Sequence, residues 1–324
     1  MTAIKAHPTF LRKQRHKQRR KQLPTWRTKA EGVVSRLFLA LLWLTHWLPL
    51  SALAAFGRTV GRVLHFFAKS RRLVALRNVE LCFPEQTHLQ HHALVREHFQ
   101  WLGRSIIERG LLWYAPVARL KRLIHVEGNV TLAEHSTQPV MWLVPHFMGL
   151  DVAGAATQLF QSQQVGSIYQ QQSDAVMDAA MRAGRLRFNQ GEVFARSDSA
   201  KPLIRAIKRG HAFFNLPDMD FGARDAAFVP FFGVPAATLL APSRMARALG
   251  MVVQPVVAEI LPGGQGYRVR FLEPWPHFPS ANALADTAAM NRWIETEIRA
   301  NPAQYLWVHK RFKTRPEGEA SLYA

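Results

Sequence analysis

Leu37 through Phe56 is a run of twenty residues without a formal charge, with Trp43 and Trp47 inside it. Twenty apolar residues wound as a helix are about long enough to cross the hydrocarbon core of a bilayer. Three readings compete for such a run. One is a buried core helix, though so long a run is unusual in a soluble fold. A second is a cleaved secretory signal, because Ala52-Leu53-Ala54 resembles a cleavage site, but the charged region before it is far too long. The third, adopted here, is a retained N-terminal membrane-anchoring helix. Its topology stays open. The first thirty residues carry ten Lys or Arg and no acid, and Arg58, Arg62, Lys69, Arg71 and Arg72 follow the run. Basic flanks on both sides give the positive-inside rule nothing to choose between. His46 and Pro49 also interrupt the run, so a shallow interfacial insertion fits as well as a crossing.

The arm before the run is a self-repelling basic block and is expected to be disordered. The chain thus divides into a basic arm over 1–30, an anchoring segment over 31–72 and a globular domain over 73–324. Forty-two Lys and Arg against twenty-two Asp and Glu give a formal charge of +20, which implies an anionic partner. The single cysteine, Cys82, excludes an intramolecular disulfide and a cysteine-rich zinc site.

Beyond residue 73 the pattern becomes α/β. Val140 to Val144 reads as a buried strand ending at Pro145, followed by a helix over Asp151 to Phe160. Ile168 and Tyr169 mark a further strand, and Asp174 to Arg187 and Lys201 to Lys208 read as helices. His211 to Leu216, Val252 to Ile260 and Tyr267 to Leu272 are strand-like. Leu94 to Trp113 reads as an amphipathic helix, and Met290, Trp293, Ile294 and Ile298 share a face of a late one. Such alternation predicts an α/β fold: a central, mostly parallel sheet flanked by helices.

Two segments could carry chemistry. In Pro145-His146-Phe147-Met148-Gly149-Leu150-Asp151 a histidine precedes a carboxylate by five positions. A base and a carboxylate that fixes its tautomer would suit proton abstraction. The same spacing recurs at His92 and Glu97, but five residues on a straight helix leave two side chains ~140° apart. His92 and Glu97 lie in an unbroken polar helical stretch and read as solvated surface. His146 lies at a strand-to-helix junction, where α/β folds place their sites. The second segment is Asp218-Met219-Asp220-Phe221-Gly222, a site loop or a polar turn capped by Asp218. Arg182, Arg185, Arg187 and Arg196 could recognise an anionic group together. Cys82 could be imagined as an acyl-carrying nucleophile, but reads as a small apolar core residue.

Together the His146-x4-Asp151 motif, the Asp218 to Gly222 loop and Arg77-Asn78-Val79-Glu80-Leu81-Cys82-Phe83-Pro84 resemble the lipid A biosynthesis lauroyl/myristoyl acyltransferases. The ending Asn301 to Pro316 is the most specific match, and the resemblance covers about Arg27 to Pro316. It implies transfer of a fatty acyl chain from an acyl carrier protein thioester to a hydroxyl of a phosphorylated glycolipid acceptor, a lipid A precursor. By the same resemblance His146 is the general base and Asp151 its partner, with Arg187, Arg196, Asp218, Asp220 and Gly222 around the substrate. No metal or other cofactor is implied, since a thioester already carries a good leaving group. Membrane lipids and the acidic carrier are the expected partners, and nucleic acid is not. The implied place is a bacterial inner membrane, with the site facing the cytoplasm. Two rivals remain. A lysophospholipid or aminolipid O-acyltransferase would use the same base on a different acceptor. A non-enzymatic protein of nucleic acid or membrane surfaces, built on the basic arm, would leave the His146 and Asp218 segments unexplained.

Overall fold

The computed structural model describes the backbone of residues 25–323 and the side chains from 32 to 323. Most of the basic arm lies outside them. Six helices open the chain: α1 (Thr25–Thr45), α2 (Leu50–Phe67), α3 (Lys69–Cys82), α4 (His88–Ile107), α5 (Arg109–Tyr114) and α6 (Val117–Leu123). There follow β1 (Ile124–Gly128), α7 (Leu132–His135), β2 (Val140–Leu143), α8 (Leu150–Leu159), β3 (Val165–Tyr169), α9 (Ala175–Arg185) and β4 (Glu192–Ala195). Then come α10 (Lys201–Lys208), β5 (Ala212–Asn215), β6 (Ala226–Phe231), β7 (Val234–Leu239), α11 (Ala241–Leu249), β8 (Val252–Ile260), β9 (Tyr267–Phe271) and α12 (Ala283–Ala300).

Seven strands form one sheet in the order β1-β9-β8-β2-β5-β3-β4, every pair parallel except β8 with β9. β6 and β7 make a separate antiparallel hairpin. Its two-residue turn, Phe232-Gly233, has positive φ at both positions, as a type I′ turn requires. The α/β architecture expected from the alternating pattern is therefore present. On β2, Met141 and Leu143 enter one buried apolar cluster while Trp142 and its neighbour Val140 enter another. Alternate side chains of a strand point to opposite faces, so the sheet is covered on both sides.

The expectation of one helix over the uncharged run is corrected. The uncharged run is not one helix: α1 ends at Thr45, His46 to Pro49 form a turn, and α2 begins at Leu50. Pro49 has no amide hydrogen and its φ of −55° suits the residue before a helix, so the break falls there. Arg119 donates to the carbonyls of His46 and Leu48, which ties the turn to α6. Among the described residues no helix is long and apolar enough to cross a membrane.

Glycines hold one face of α2 against α4. Gly57 and Gly61 face Gly103 on α4, where the two backbones touch: any Cβ at Gly61 would overlap the Phe99 carbonyl, and any at Gly103 the backbone of Gly57 and Gly61. Small residues spaced by four allow this approach. The expected single amphipathic helix from Leu94 to Trp113 is likewise two, α4 and α5, hinged at Glu108. Glu108 is buried in an ion pair with the buried Arg104 at 2.6 Å.

Candidate active site

β2 and β5 are adjacent and parallel, with Leu143 opposite Asn215. Val144 still donates to the Asn215 carbonyl at 2.9 Å, so the register persists beyond the strand ends. Three residues past each strand stand His146 and Asp218. Strand pairing alone therefore brings them together at the carboxyl end of the sheet, the edge where open α/β sheets bind ligands.

One Asp218 oxygen accepts from the His146 main-chain N–H at 2.9 Å, and the other lies 2.6 Å from ring Nδ1. Asp218 is fully buried. Burial by itself would raise its carboxyl, but the His146 ring and the hydrogen bonds from His146 outweigh it and hold the group below the ordinary range. An ionised Asp218 can only accept, so Nδ1 carries the hydrogen, and in the neutral ring Nε2 is the nitrogen that keeps a lone pair. Tyr305, also buried, lies beside Asp218; burial and then that negative charge push its phenol well up.

The loop bearing His146 is clamped from behind. The Met148 N–H donates to the Gln304 carbonyl at 2.7 Å, Leu306 N–H to the His146 carbonyl at 2.9 Å, and Phe147 bridges Tyr305. Gly149 rests on β8, where a Cβ would come within 2.6 Å of the Ala258 carbonyl oxygen. Asn78 of α3 donates to the carbonyls of Trp307 and His309, so the Arg77–Pro84 and Asn301–Pro316 segments meet behind the site.

Asp151 is not the partner of His146. It sits in the first turn of α8 and its carboxylate faces two arginines instead: Arg109 Nε of α5 at 2.8 Å from Oδ2, and Arg185 Nη2 of α9 at 3.1 Å from Oδ1. Burial would raise this carboxyl, but the two guanidiniums overcome it and drive it far below the ordinary range. The turn expected between His146 and Asp151 is present, yet it delivers the carboxylate to the helices while strand register delivers Asp218.

The remaining expected residues divide. Arg196 lines the cavity in front of His146, its guanidinium stacked 3.7 Å from the Phe221 ring centre. Arg187, expected at the substrate, does not line this cavity; it donates to the Leu112 and Ala115 carbonyls and braces α5. Asp220, also expected at the substrate, is engaged by the protein itself. It is buried and accepts from the Gly222 N–H at 2.9 Å, the Thr314 N–H at 2.6 Å and the Thr314 hydroxyl at 2.8 Å. It fastens the loop to the C-terminal segment. Gly222 supplies a φ of +98° that lets the loop fold back on Asp220. Neither one lines the cavity. His309, which the sequence reading left out, accepts from the Asp220 N–H at 3.1 Å. His92 and Glu97 are exposed on α4, as expected of solvated surface. Cys82 is buried, and burial raises its thiol well above the ordinary value.

The cavity has a volume of about 430 Å³ and is walled largely by apolar side chains, among them Met148, Ile168, Met181, Phe214 and Met245. A narrower cleft of about 60 Å³, lined by Leu112, Trp113, Phe188 and Val193, continues from it. Leu150, Asp151, Arg185, Phe214 and Leu216 border both, so the Asp151–Arg185 pair stands where wide space meets narrow.

Residues 21–314 match the profile of a family described as bacterial lipid A biosynthesis acyltransferase. The chain is 34% identical over 290 residues to the lipid A biosynthesis lauroyltransferase of Escherichia coli (strain K12), covering 89% of this chain and 94% of that one. To the palmitoleoyltransferase of the same strain it is 33% identical over 288 residues, 88% of this chain and 92% of the relative. To the myristoyltransferase of that strain it is 30% identical over 275 residues, covering 84% and 83%.

Proposed function

This chain belongs to the bacterial lipid A biosynthesis acyltransferase family, and on that footing we propose that it moves a fatty acyl chain from an acyl carrier protein thioester to a hydroxyl of a phosphorylated lipid A precursor, with His146 as base and Asp218 as its partner. Membership makes the chain an enzyme of secondary acylation in lipid A biosynthesis. The donor, the acceptor's form and the catalytic pair are the proposal. The observation that carries it is the His146–Asp218 pair at the wall of an apolar, arginine-bearing cavity.

The chemistry follows from the geometry. With Nδ1 held by Asp218, Nε2 takes the proton of the acceptor hydroxyl as its oxygen attacks the thioester carbonyl. A C–O bond forms, and the C–S bond breaks as the tetrahedral intermediate collapses. The proton on Nε2 then passes to the departing sulfur, leaving an ester and a free carrier thiol. Asp218 stabilises the imidazolium that exists between the two proton transfers. The narrow apolar cleft suits a hydrocarbon chain, and the wider cavity suits the reacting groups.

The chain works at a membrane surface, in this reading the cytoplasmic face of a bacterial inner membrane. Large apolar side chains left exposed between Val33 and Leu73, with Arg58, Arg62, Lys69 and Arg71 beside them, support contact with anionic headgroups.

The experiment is incubation of purified protein with acyl carrier thioesters and candidate lipids, read by mass spectrometry. The wild type should add one acyl mass to a phosphorylated lipid A precursor, and His146→Ala should do so at least ~10²-fold more slowly. Acylation of a lysophospholipid or aminolipid in its place would reject the acceptor. A folded His146→Ala enzyme at near-native rate would reject the base.

A further inference from the structure

Asp151 has the sequence position of a partner for His146 but is bonded elsewhere. Both its oxygens are engaged by guanidiniums on helices that are remote in sequence, Arg109 of α5 and Arg185 of α9. Arg109 gives only Nε to this contact, and Arg185 gives Nε and Nη2. Among the described residues both Nη groups of Arg109 and Nη1 of Arg185 bond to no protein acceptor, and both side chains remain about one-third exposed. With Arg196, the cavity wall shows three arginines against the one ionised carboxylate of Asp151. Two guanidiniums repel each other unless an anion lies between them. Asp151 supplies that anion and leaves N–H donors over for another.

We propose that Asp151, Arg109 and Arg185 form an anion clamp, in which the carboxylate holds the two guanidiniums together so that their free N–H groups bind a phosphate group of a substrate. Guanidinium forks match phosphate oxygens in geometry and charge, and a pair of them fixes orientation as a single one does not. The place suits the task, because the clamp borders both the wide cavity and the narrow apolar cleft. A phosphate held there leaves the reacting group of the same substrate, hydroxyl or thioester, free to approach His146. Asp151 is then a positioning residue acting through arginines. The phosphate belongs either to the acceptor or to the phosphate-bearing arm of the donor. This inference rests on the cavity being the substrate site proposed above, but its first test does not depend on turnover.

That test is calorimetric titration of the full-length protein with inorganic phosphate. Wild type and His146→Ala should bind alike, whereas Arg109→Gln and Arg185→Gln should bind about tenfold more weakly or worse, the scale of one charge-assisted hydrogen bond. Arg109→Lys should recover part of the loss, which guards against a variant that merely misfolds. Asp151→Asn should also weaken binding. Equal phosphate affinity in all variants, or no saturable binding to wild type, overturns the clamp whatever the enzyme acylates. In the acyl-transfer assay, phosphate competing with the acceptor assigns the clamp to the acceptor, and competition with the donor assigns it to the donor. Competition with neither also overturns it.

Discussion

Two histidines, the buried His98 and the half-buried His309, set how this protein should respond to acid. His98, with Nδ1 on the Ala303 carbonyl, is lowered from the ordinary 6.5 to about 4, by burial above all. His309 is lowered to about 4 by burial and next by the neighbouring His146. Between those values the unfolded chain binds protons that the folded chain refuses, so stability rises with pH across the window. Falling pH from about 6.5 to 4 should therefore lower the urea midpoint steadily, and His98→Gln should flatten that slope. A midpoint that is constant over this range would contradict the neutral rings of His98 and His309. Much of the site's residue scale was legible. His146 stood out because a strand, a proline and a glycine framed it. Its partner did not, because the 72 residues from His146 to Asp218 are spanned by the register of β2 with β5, which local spacing cannot report. Arg109 escaped for the same reason: nothing in Glu108-Arg109-Gly110 announces that α5 will face Asp151. Arg187 was read for its charge, while its environment uses its donors on two carbonyls.

At the scale of elements, the sequence pattern misled most over the uncharged run, which reads as one helix and folds as two. Hydropathy identified an apolar run over 37–56 but could not report that one face of α2 packs on α4. The discriminating signal was Gly57, Gly61 and Gly103, and its meaning depends on a contact between elements some forty residues apart. Gly61→Val should be costly, since the added side chain meets backbone that cannot step aside; overpacking of this kind costs about 1–3 kcal/mol. Gly154→Ala is the control. It lies within α8 with nothing within 4 Å of an added Cβ, and should stabilise by roughly 0.5–1 kcal/mol from helix propensity. Thermal unfolding of the pair checks this: a Gly61→Val midpoint equal to wild type would mean the crossing is looser than described. Where each element carried its own boundary signals, the reading held. α10 spans Lys201–Lys208 and β8 spans Val252–Ile260, as the pattern indicated.

The whole molecule has one face unlike the rest. Opposite its glycine face, α2 turns Phe56, Val63, Phe66 and Phe67 outward, with Phe66 72% and Phe67 76% exposed, and Trp43 and Trp47 protrude from α1 and the turn after it. Arg58, Arg62, Lys69 and Arg71 lie exposed beside the α2 stripe and the hinge to α3. An apolar stripe edged by cations is the pattern of a helix lying in the membrane interface. Replacing Phe66 and Phe67 together by Asp should reduce binding to vesicles containing anionic lipid severalfold. Raising the salt should weaken wild-type binding without abolishing it, because the apolar part is not screened. Undiminished vesicle binding by the double variant would contradict a membrane contact through this stripe.

The central claim is that Asp218, and not Asp151, is the carboxylate working through His146. Its most direct test is the pH–rate profile of acyl transfer for wild type, Asp218→Asn and Asp151→Asn, each verified as folded. Asp218→Asn should lose at least ~10²-fold in kcat and displace the acid limb of the profile, because the ring loses its tautomer and its counter-charge. Asp151→Asn should keep the wild-type acid limb and show its defect in KM for the phosphate-bearing substrate. The reverse pattern, with the limb moved by Asp151→Asn and untouched by Asp218→Asn, would contradict the account.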